Sequence, residues 1–207
     1  LVTSQANSLR IIKVEKCFGA NGKPLRKPGR VLKGEGVLNK VCRKVVKPRI
    51  FFLFNDILVY GSIAQEQQRY TKQTILNLEG MQFRSLDDTP KLKHAWVIST
   101  PSKSFTVCAA SPREKAQWLD HLTKAANTTA ATSGDDQRFE GHAPNWVPDT
   151  EADVCMHCMK TTFNAFKRRH HCRSCGNVVC GPCSTKKLVI ASQGSKPARV
   201  CDACFDK

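Results

Sequence analysis

Four Cys-x-x-Cys pairs, Cys155/Cys158, Cys172/Cys175, Cys180/Cys183 and Cys201/Cys204, crowd the last third of the chain. Such a turn aims two thiolates at one tetrahedral ion. Two pairs therefore complete one closed zinc site, and four pairs complete two. Of the 11 cysteines, only Cys17, Cys42 and Cys108 lie outside this cluster. The start, Leu1-Val2-Thr3-Ser4, shows no basic flank running into an apolar stretch. No secretory signal is expected, and a reducing compartment favours metal over disulfides. All eight ligands are Cys, which leaves no open coordination position. The expected cofactors are two structural Zn2+ ions, not a catalytic metal. Spacing leaves the pairing open. Thirteen residues separate the first two pairs, 17 the last two, and four lie between Cys175 and Cys180. Consecutive and interleaved arrangements are both within reach.

The rest of the chain divides by composition. Residues 145–207 are poor in Leu, Ile and Phe, and a domain that small needs a staple. Residues 127–144, including Asn127-Thr128-Thr129-Ala130-Ala131-Thr132, offer little to bury and read as a linker. Residues 34–126 read as strand-rich. Ile50–Phe54 and Ile57–Tyr60 flank the turn signal Asn55-Asp56, and Trp96/Ile98 and Phe105/Val107/Ala109 recur at period two. The period then changes. Ser111-Pro112-Arg113-Glu114 is a capping box, followed by Trp118, Leu122 and Ala125 at helical spacing. Residues 1–33 form an N-terminal segment with a short helix, on which Leu9, Ile12 and Lys16 share a face. A basic stretch from Lys23 to Lys33 follows it.

Charge narrows the function. Thirty-three Lys and Arg against 17 acids give a formal charge of +16, so the partner is expected to be anionic. The longest apolar run, Ile50–Phe54, has five residues, far short of a membrane-spanning helix. Between the first two zinc pairs runs Lys167-Arg168-Arg169-His170-His171-Cys172-Arg173. Arg offers a planar fork to phosphate oxygens, and His adds donors near neutral pH. Arg199 stands two residues before Cys201, so a zinc site can pull it to the same surface.

Trp146-Val147-Pro148-Asp149, Arg168-Arg169-His170-His171-Cys172-Arg173-Ser174-Cys175-Gly176 and Arg199-Val200-Cys201 resemble the three signatures of the FYVE zinc finger. The resemblance implies interleaved zinc binding, with Cys155, Cys158, Cys180 and Cys183 on one ion and Cys172, Cys175, Cys201 and Cys204 on the other. It implies phosphatidylinositol 3-phosphate as ligand. Arg168, Arg169, Arg173 and Arg199 are then expected on phosphates, Asp149, His170 and His171 on the ring or its 3-phosphate, and Trp146 supporting the pocket. A carboxylate at Asp149 suits ring hydroxyls and repels phosphate there, disfavouring more highly phosphorylated headgroups. The position of the membrane-inserting loop is Asn164-Ala165-Phe166-Lys167, where Ala165 and Phe166 form the tip and Phe166 is its only large apolar residue.

Gly34–Lys40, Phe51–Tyr60 and the final helix with Trp118 resemble a pleckstrin-homology (PH) domain. The implied fold class is mainly β with α: a seven-stranded bent barrel with a C-terminal helix, joined to a small cross-brace two-zinc finger. Many PH domains bind phosphoinositides with a Lys on the first strand and a basic-x-Arg entering the second. Lys40, Lys47 and Arg49 fit, with Arg43 and Lys44 in the loop between. From Lys23 to Arg49 there are ten basic residues and one acid, Glu35.

The order PH then FYVE, with Glu15-Lys16-Cys17-Phe18-Gly19 and Cys42-Arg43-Lys44 near the front, resembles the phafin proteins. That resemblance implies a non-catalytic adaptor, cytoplasmic and peripheral on early endosome membranes, with other endosomal or lysosomal membranes also open to it. It would bind phosphatidylinositol 3-phosphate through the finger and a second phosphoinositide at the PH domain. It would work with trafficking and autophagy proteins in endosomal fusion and lysosomal delivery. Two alternatives compete. A RING-type ubiquitin ligase shares interleaved zinc binding, but its patterns usually include a His ligand, whereas here every ligand position is Cys. Nucleic-acid binding would suit the charge, yet aromatics are only 7% and do not interleave with the basic run, so stacking platforms are not evident and no nucleic acid is expected.

Overall fold

The computed structural model describes residues 2–64, 69–133 and 142–207. Seven antiparallel strands form one sheet: β1 (Leu32–Val41), β2 (Val46–Phe54), β3 (Ile57–Ile63), β4 (Tyr70–Asn77), β5 (Gln82–Ser85), β6 (Ala95–Ser99) and β7 (Ser104–Cys108). Their order is β4-β3-β2-β1-β7-β6-β5, so β1 joins two three-stranded meanders. Helix α2 (Pro112–Ser133) closes it. Ser111 caps that helix by accepting the Glu114 N–H at 3.2 Å, while the Glu114 carboxylate takes the Ala110 N–H at 2.8 Å. Trp118, Leu122 and Ala125 bury the helical face against Phe51, Leu53, Leu58, Trp96 and Ile98. This is the PH-type sheet with a C-terminal helix that the sequence led one to expect.

The N-terminal segment differs from expectation. Helix α1 spans Val2–Phe18, and the face it buries is Ile11, Val14 and Phe18, not Leu9, Ile12 and Lys16. Leu9 is exposed. The helix lies on the outer face of β2 and β3, against Ile50, Phe52, Phe54, Ile57 and Val59. An unbroken apolar run in a strand means both faces are covered, and Ile50–Phe54 is such a run. Gly61 on β3 leaves the space that the Phe18 ring fills, since a Cβ there would lie 2.5 Å from it. Asn7 clamps the segment by accepting the Leu32 N–H at 2.9 Å and donating to the Arg30 carbonyl at 2.8 Å.

The expected linker also differs at both ends. Helix α2 runs on to Ser133; the Thr128 and Thr129 hydroxyls donate back to the Lys124 and Ala125 carbonyls, and Thr129 also reaches the Asn55 carbonyl of the barrel at 3.0 Å. Residues 134–141 of the expected linker lie outside the described residues. Beyond them the chain is docked on the barrel. The Ala143 N–H donates to the Thr100 carbonyl at 3.0 Å, and the Ser104 hydroxyl donates to the Ala143 carbonyl. His142 Nε2 lies 2.7 Å from the Gly80 carbonyl, and the Asn145 amide donates to the Thr106 hydroxyl at 3.0 Å.

The remaining residues make a small finger with two short antiparallel pairs. These are β8 (His170–His171) with β9 (Val178–Val179), and β10 (Lys187–Leu188) with β11 (Ala198–Arg199). Helix α3 (Asp202–Phe205) follows. Its core holds Phe163, Val178, Val179 and Val200, and the other fully buried positions there are mostly cysteines.

Candidate metal centres and headgroup site

The sulfurs of Cys155, Cys158, Cys180 and Cys183 lie within 4.8 Å of one another, as do those of Cys172, Cys175, Cys201 and Cys204. Pair one meets pair three and pair two meets pair four, which settles the interleaving that spacing left open. A tetrahedral zinc with bonds of about 2.3 Å has sulfur–sulfur edges of roughly 3.8 Å. Cys175 and Cys201 sulfurs stand 3.9 Å apart. Backbone amides already point at the sulfurs, from Cys180 to Cys155 at 3.2 Å and from Cys201 to Cys172 at 3.3 Å. Gly176, at φ +82°, makes the turn after Cys175, with the Asn145 carbonyl where a Cβ would sit.

Protonation tells the same story. The Lys160 N–H, with Thr161, holds the Cys158 thiol down to about 6. Burial pushes Cys172 upward, but N–H groups of Cys175, Cys201 and Ser174 outweigh it and leave it at about 7. Burial and then adjacent sulfurs push Cys175 and Cys183 well up, and Cys201 to about 11. Four crowded sulfurs cannot all ionise unaided, and a divalent cation between them lets them do so. These are two structural zinc sites with closed donor sets.

The zinc knuckles fix the basic motif. Trp146 stacks on His171, ring centroids 4.9 Å apart, and the Arg173 guanidinium covers the other part of the indole at 4.0 Å. Buried His171 donates from Nε2 to the Val147 carbonyl at 2.7 Å. Arg173 Nη1 donates to the His171 carbonyl at 2.9 Å, and Arg199 Nη1 donates to the Ser184 carbonyl at 2.6 Å. The Arg173 N–H bonds the Arg199 carbonyl at 2.9 Å, so these two cations are neighbours. Arg169 lies over the Phe163 ring and donates from Nε to the Ala152 carbonyl at 2.9 Å. Arg168 is exposed. Burial, then Arg199, Arg43 and Arg168, keep His170 below its usual pKa, and burial with Arg43 and Arg199 does the same for Arg173. Asp149 is nearly enclosed, and its Oδ1 is buried with no hydrogen-bond partner among the described residues, 3.8 Å from His171 Nε2.

Beside this cluster the Asn164 side chain accepts the N–H groups of Phe166 and Lys167, at 2.9 and 2.8 Å. The tight turn throws Phe166 outward, 94% exposed, while Phe163 is buried in the finger. Ala165 shares the exposed tip.

On the barrel, Lys40 sits with its ammonium 4.5 Å from the Phe105 ring. Burial lowers its pKa, with Cys42 opposing and Lys103 and Arg49 reinforcing the fall. Lys103, in the loop between β6 and β7, donates to the Tyr60 hydroxyl at 2.7 Å and was not singled out from sequence. Its only signal is a lone Lys among Ser and Pro in a strand connection. Lys44 and Lys47 are exposed. Arg43 goes elsewhere: its guanidinium bonds Asp149 of the finger. A cleft of about 420 Å³ lies between the two units, lined by Lys40, Arg43, Lys103, Phe105 and Trp146.

Comparison with known proteins agrees with this architecture. The FYVE zinc finger family matches residues 145–207, and the PH domain family matches residues 31–127. Pleckstrin homology domain-containing family F member 2 of Homo sapiens is 53% identical over 206 residues, covering 100% of this chain and 82% of that protein. Family F member 1 of Homo sapiens is 48% identical over 205 residues, covering 99% and 73%. A crystal structure of human RhoA with the DH/PH fragment of PDZRHOGEF matches at TM-score 0.50 and 18% identity, over 61% of this chain and 41% of that one, a likeness of fold alone. PH and FYVE domains are typically non-catalytic binding modules; together they support phosphoinositide binding, and a FYVE domain suggests peripheral association with membranes. No helix among the described residues is long and apolar enough to cross one. With relatives 53% identical that match all of this chain and 82% of their own length, the chain belongs to the pleckstrin homology domain-containing family F, the phafin proteins.

Proposed function

We propose that this chain is an adaptor that recognises phosphatidylinositol 3-phosphate through its finger and reads a second phosphoinositide on the barrel. The run Arg168–His171, held by the two cysteine clusters beside Arg173, Arg199 and a carboxylate, Asp149, 3.8 Å from His171, carries the reading. It favours a ligand that brings hydroxyl donors and phosphate together. The exposed Phe166 precedes Arg168 by two residues, so headgroup capture and insertion of one ring support each other. One Phe is a weak anchor, and basic attraction to anionic lipid must add to it. On the barrel, Lys40, Arg49 and Lys103 gather on one surface, with Lys44 and Lys47 exposed nearby. Early endosomes, and the trafficking and autophagy steps of lysosomal delivery, are the setting this lipid implies.

Flotation of the zinc-loaded chain tests the reading. Vesicles with singly and multiply phosphorylated phosphoinositides are compared, with Arg169→Ala as partner. Preferential capture by the 3-phosphate lipid, lost in Arg169→Ala with both zincs retained, is the expected result. Equal flotation of that variant would remove the basic motif from the site.

A further inference from the structure

We infer that Arg43, a residue of the barrel, is a working part of the finger's headgroup site. The inference rests on the function proposed above and adds a cation that the finger does not itself contain.

Three bonds hold the loop between β1 and β2 on the finger. Arg43 Nε donates to Asp149 Oδ2 at 2.9 Å, its Nη2 donates to the Arg169 carbonyl at 3.2 Å, and the Asp149 N–H donates back to the Arg43 carbonyl at 2.9 Å. The contact thus uses both backbone and side chain, and it lands on two residues of the basic motif's own pocket. Of the two Asp149 oxygens, Oδ1 is buried without a hydrogen-bond partner among the described residues, and Oδ2 is the one that Arg43 holds.

The guanidinium is not used up. About half of the side chain is exposed, and its Nη1 has no hydrogen-bond partner among the described residues. Arg43 lines a cleft with Trp146, over which the Arg173 guanidinium lies at 4.0 Å, and its Nη2 bonds the Arg169 carbonyl. Arg43, Arg169 and Arg173 thus gather with Arg199, whose carbonyl takes the Arg173 N–H, and the acids bonded within this group are Asp149 and Asp153. Like charges gathered this way repel until an anion joins them. A phosphate monoester on an inositol ring has the charge and acceptor geometry to do that, and a planar fork is the best donor for it. The same chemistry is offered by a membrane lipid and by a soluble inositol phosphate. The finger's affinity is therefore set partly by the PH loop.

The experiment uses the full zinc-loaded chain with Arg43→Gln, Arg43→Lys and Lys93→Gln. Gln keeps a donor toward Asp149 but no charge, Lys keeps the charge, and Lys93→Gln removes one exposed charge that belongs to neither binding surface. Calorimetric titration with soluble inositol 1,3-bisphosphate reads the headgroup, and flotation on phosphatidylinositol 3-phosphate vesicles reads the lipid. Losing one charge-assisted contact is expected to weaken soluble headgroup binding in Arg43→Gln by about tenfold. Arg43→Lys recovers most of the loss, Lys93→Gln changes little, and flotation follows the same order. Headgroup binding in Arg43→Gln that equals the parent overturns the inference, and so does tighter binding, which makes Arg43 a lock instead. Equal losses in Arg43→Gln and Lys93→Gln also overturn it, since the effect is then general charge. If flotation falls while soluble binding is unchanged, Arg43 acts on the membrane surface and not in the pocket. A parent chain that binds neither probe refutes the lipid reading itself, whereas binding lost in Arg169→Ala but kept in Arg43→Gln refutes only the role of Arg43.

Discussion

The barrel and the finger bury their interiors with different chemistry. The barrel packs Phe51, Leu53, Leu58, Trp96, Ile98 and Leu122 between sheet and helix, then covers the sheet's other face with α1. Its cohesion is apolar area removed from water. The finger has Phe163 and three valines, and cysteines occupy most of the rest of its centre. Its cohesion has to come from metal, because sulfurs this close repel as thiolates and contribute little as thiols. One chain therefore carries one unit that should tolerate chelators and another that should tolerate almost nothing else at its core. The finger's rigidity also lets a short motif hold its cations in place without a large domain behind it.

The largest expected effect separates the two units outright. Chelation removes a binding energy of about 10–16 kcal/mol per structural zinc, so the finger should unfold while the barrel stays folded. Fluorescence can follow this, since Trp146 reports the finger and Trp96 and Trp118 report the barrel. A single transition involving all three would break the contrast. Next comes the converse change. Phe51 is fully buried, and Phe51→Ala should cost the barrel about 3–5 kcal/mol in denaturant melts. The expected zinc content is unaltered, at two ions per chain. Zinc loss in this variant would show the two units to be one cooperative body.

A smaller effect appears only at a membrane. Phe166→Ala should weaken vesicle binding by an amount equivalent to about 1.5–3 kcal/mol and leave melting and zinc content unchanged. Loss of soluble headgroup binding in this variant would place the ring in the pocket and not in lipid. The smallest concerns the outer layer of the barrel. Asn7→Ala removes two hydrogen bonds and should lower barrel stability by about 1–2 kcal/mol. No change would mean that α1 is held by the packing of Ile11, Val14 and Phe18 and by Glu15, which accepts the Leu25 and Arg26 N–H groups.

Much of the site was legible because its determinants are local. A Cys-x-x-Cys turn works within four residues, so all eight zinc ligands could be named from spacing. The basic motif is contiguous with a ligand, which made Arg168, Arg169, His170, His171 and Arg173 readable as one surface. The side chains that escaped notice are those whose roles depend on distant strands. Lys103 joins Lys40 only because β7 pairs with β1. The buried face of α1 was misjudged because Leu9 and Ile11 are equally apolar on paper. The signal that could have found it lies elsewhere, in the unbroken run Ile50–Phe54, which requires cover on both sides of β2. The Thr- and Ser-containing sequence after residue 127 hid the end of a helix, since its propensity is low and the Thr129 bond to the Asn55 carbonyl comes from a distant turn.

Sequence by itself determined the metal, the number of ions and the chemistry of the basic motif, because each is set by residue identity at short range. Tertiary structure alone decided which cysteine pairs meet, which helical face is buried and where Arg43 points. Those outcomes depend on how strands far apart in the chain cross one another. The pairing of two Arg43 groups with Asp149, 106 positions further along, is such a crossing.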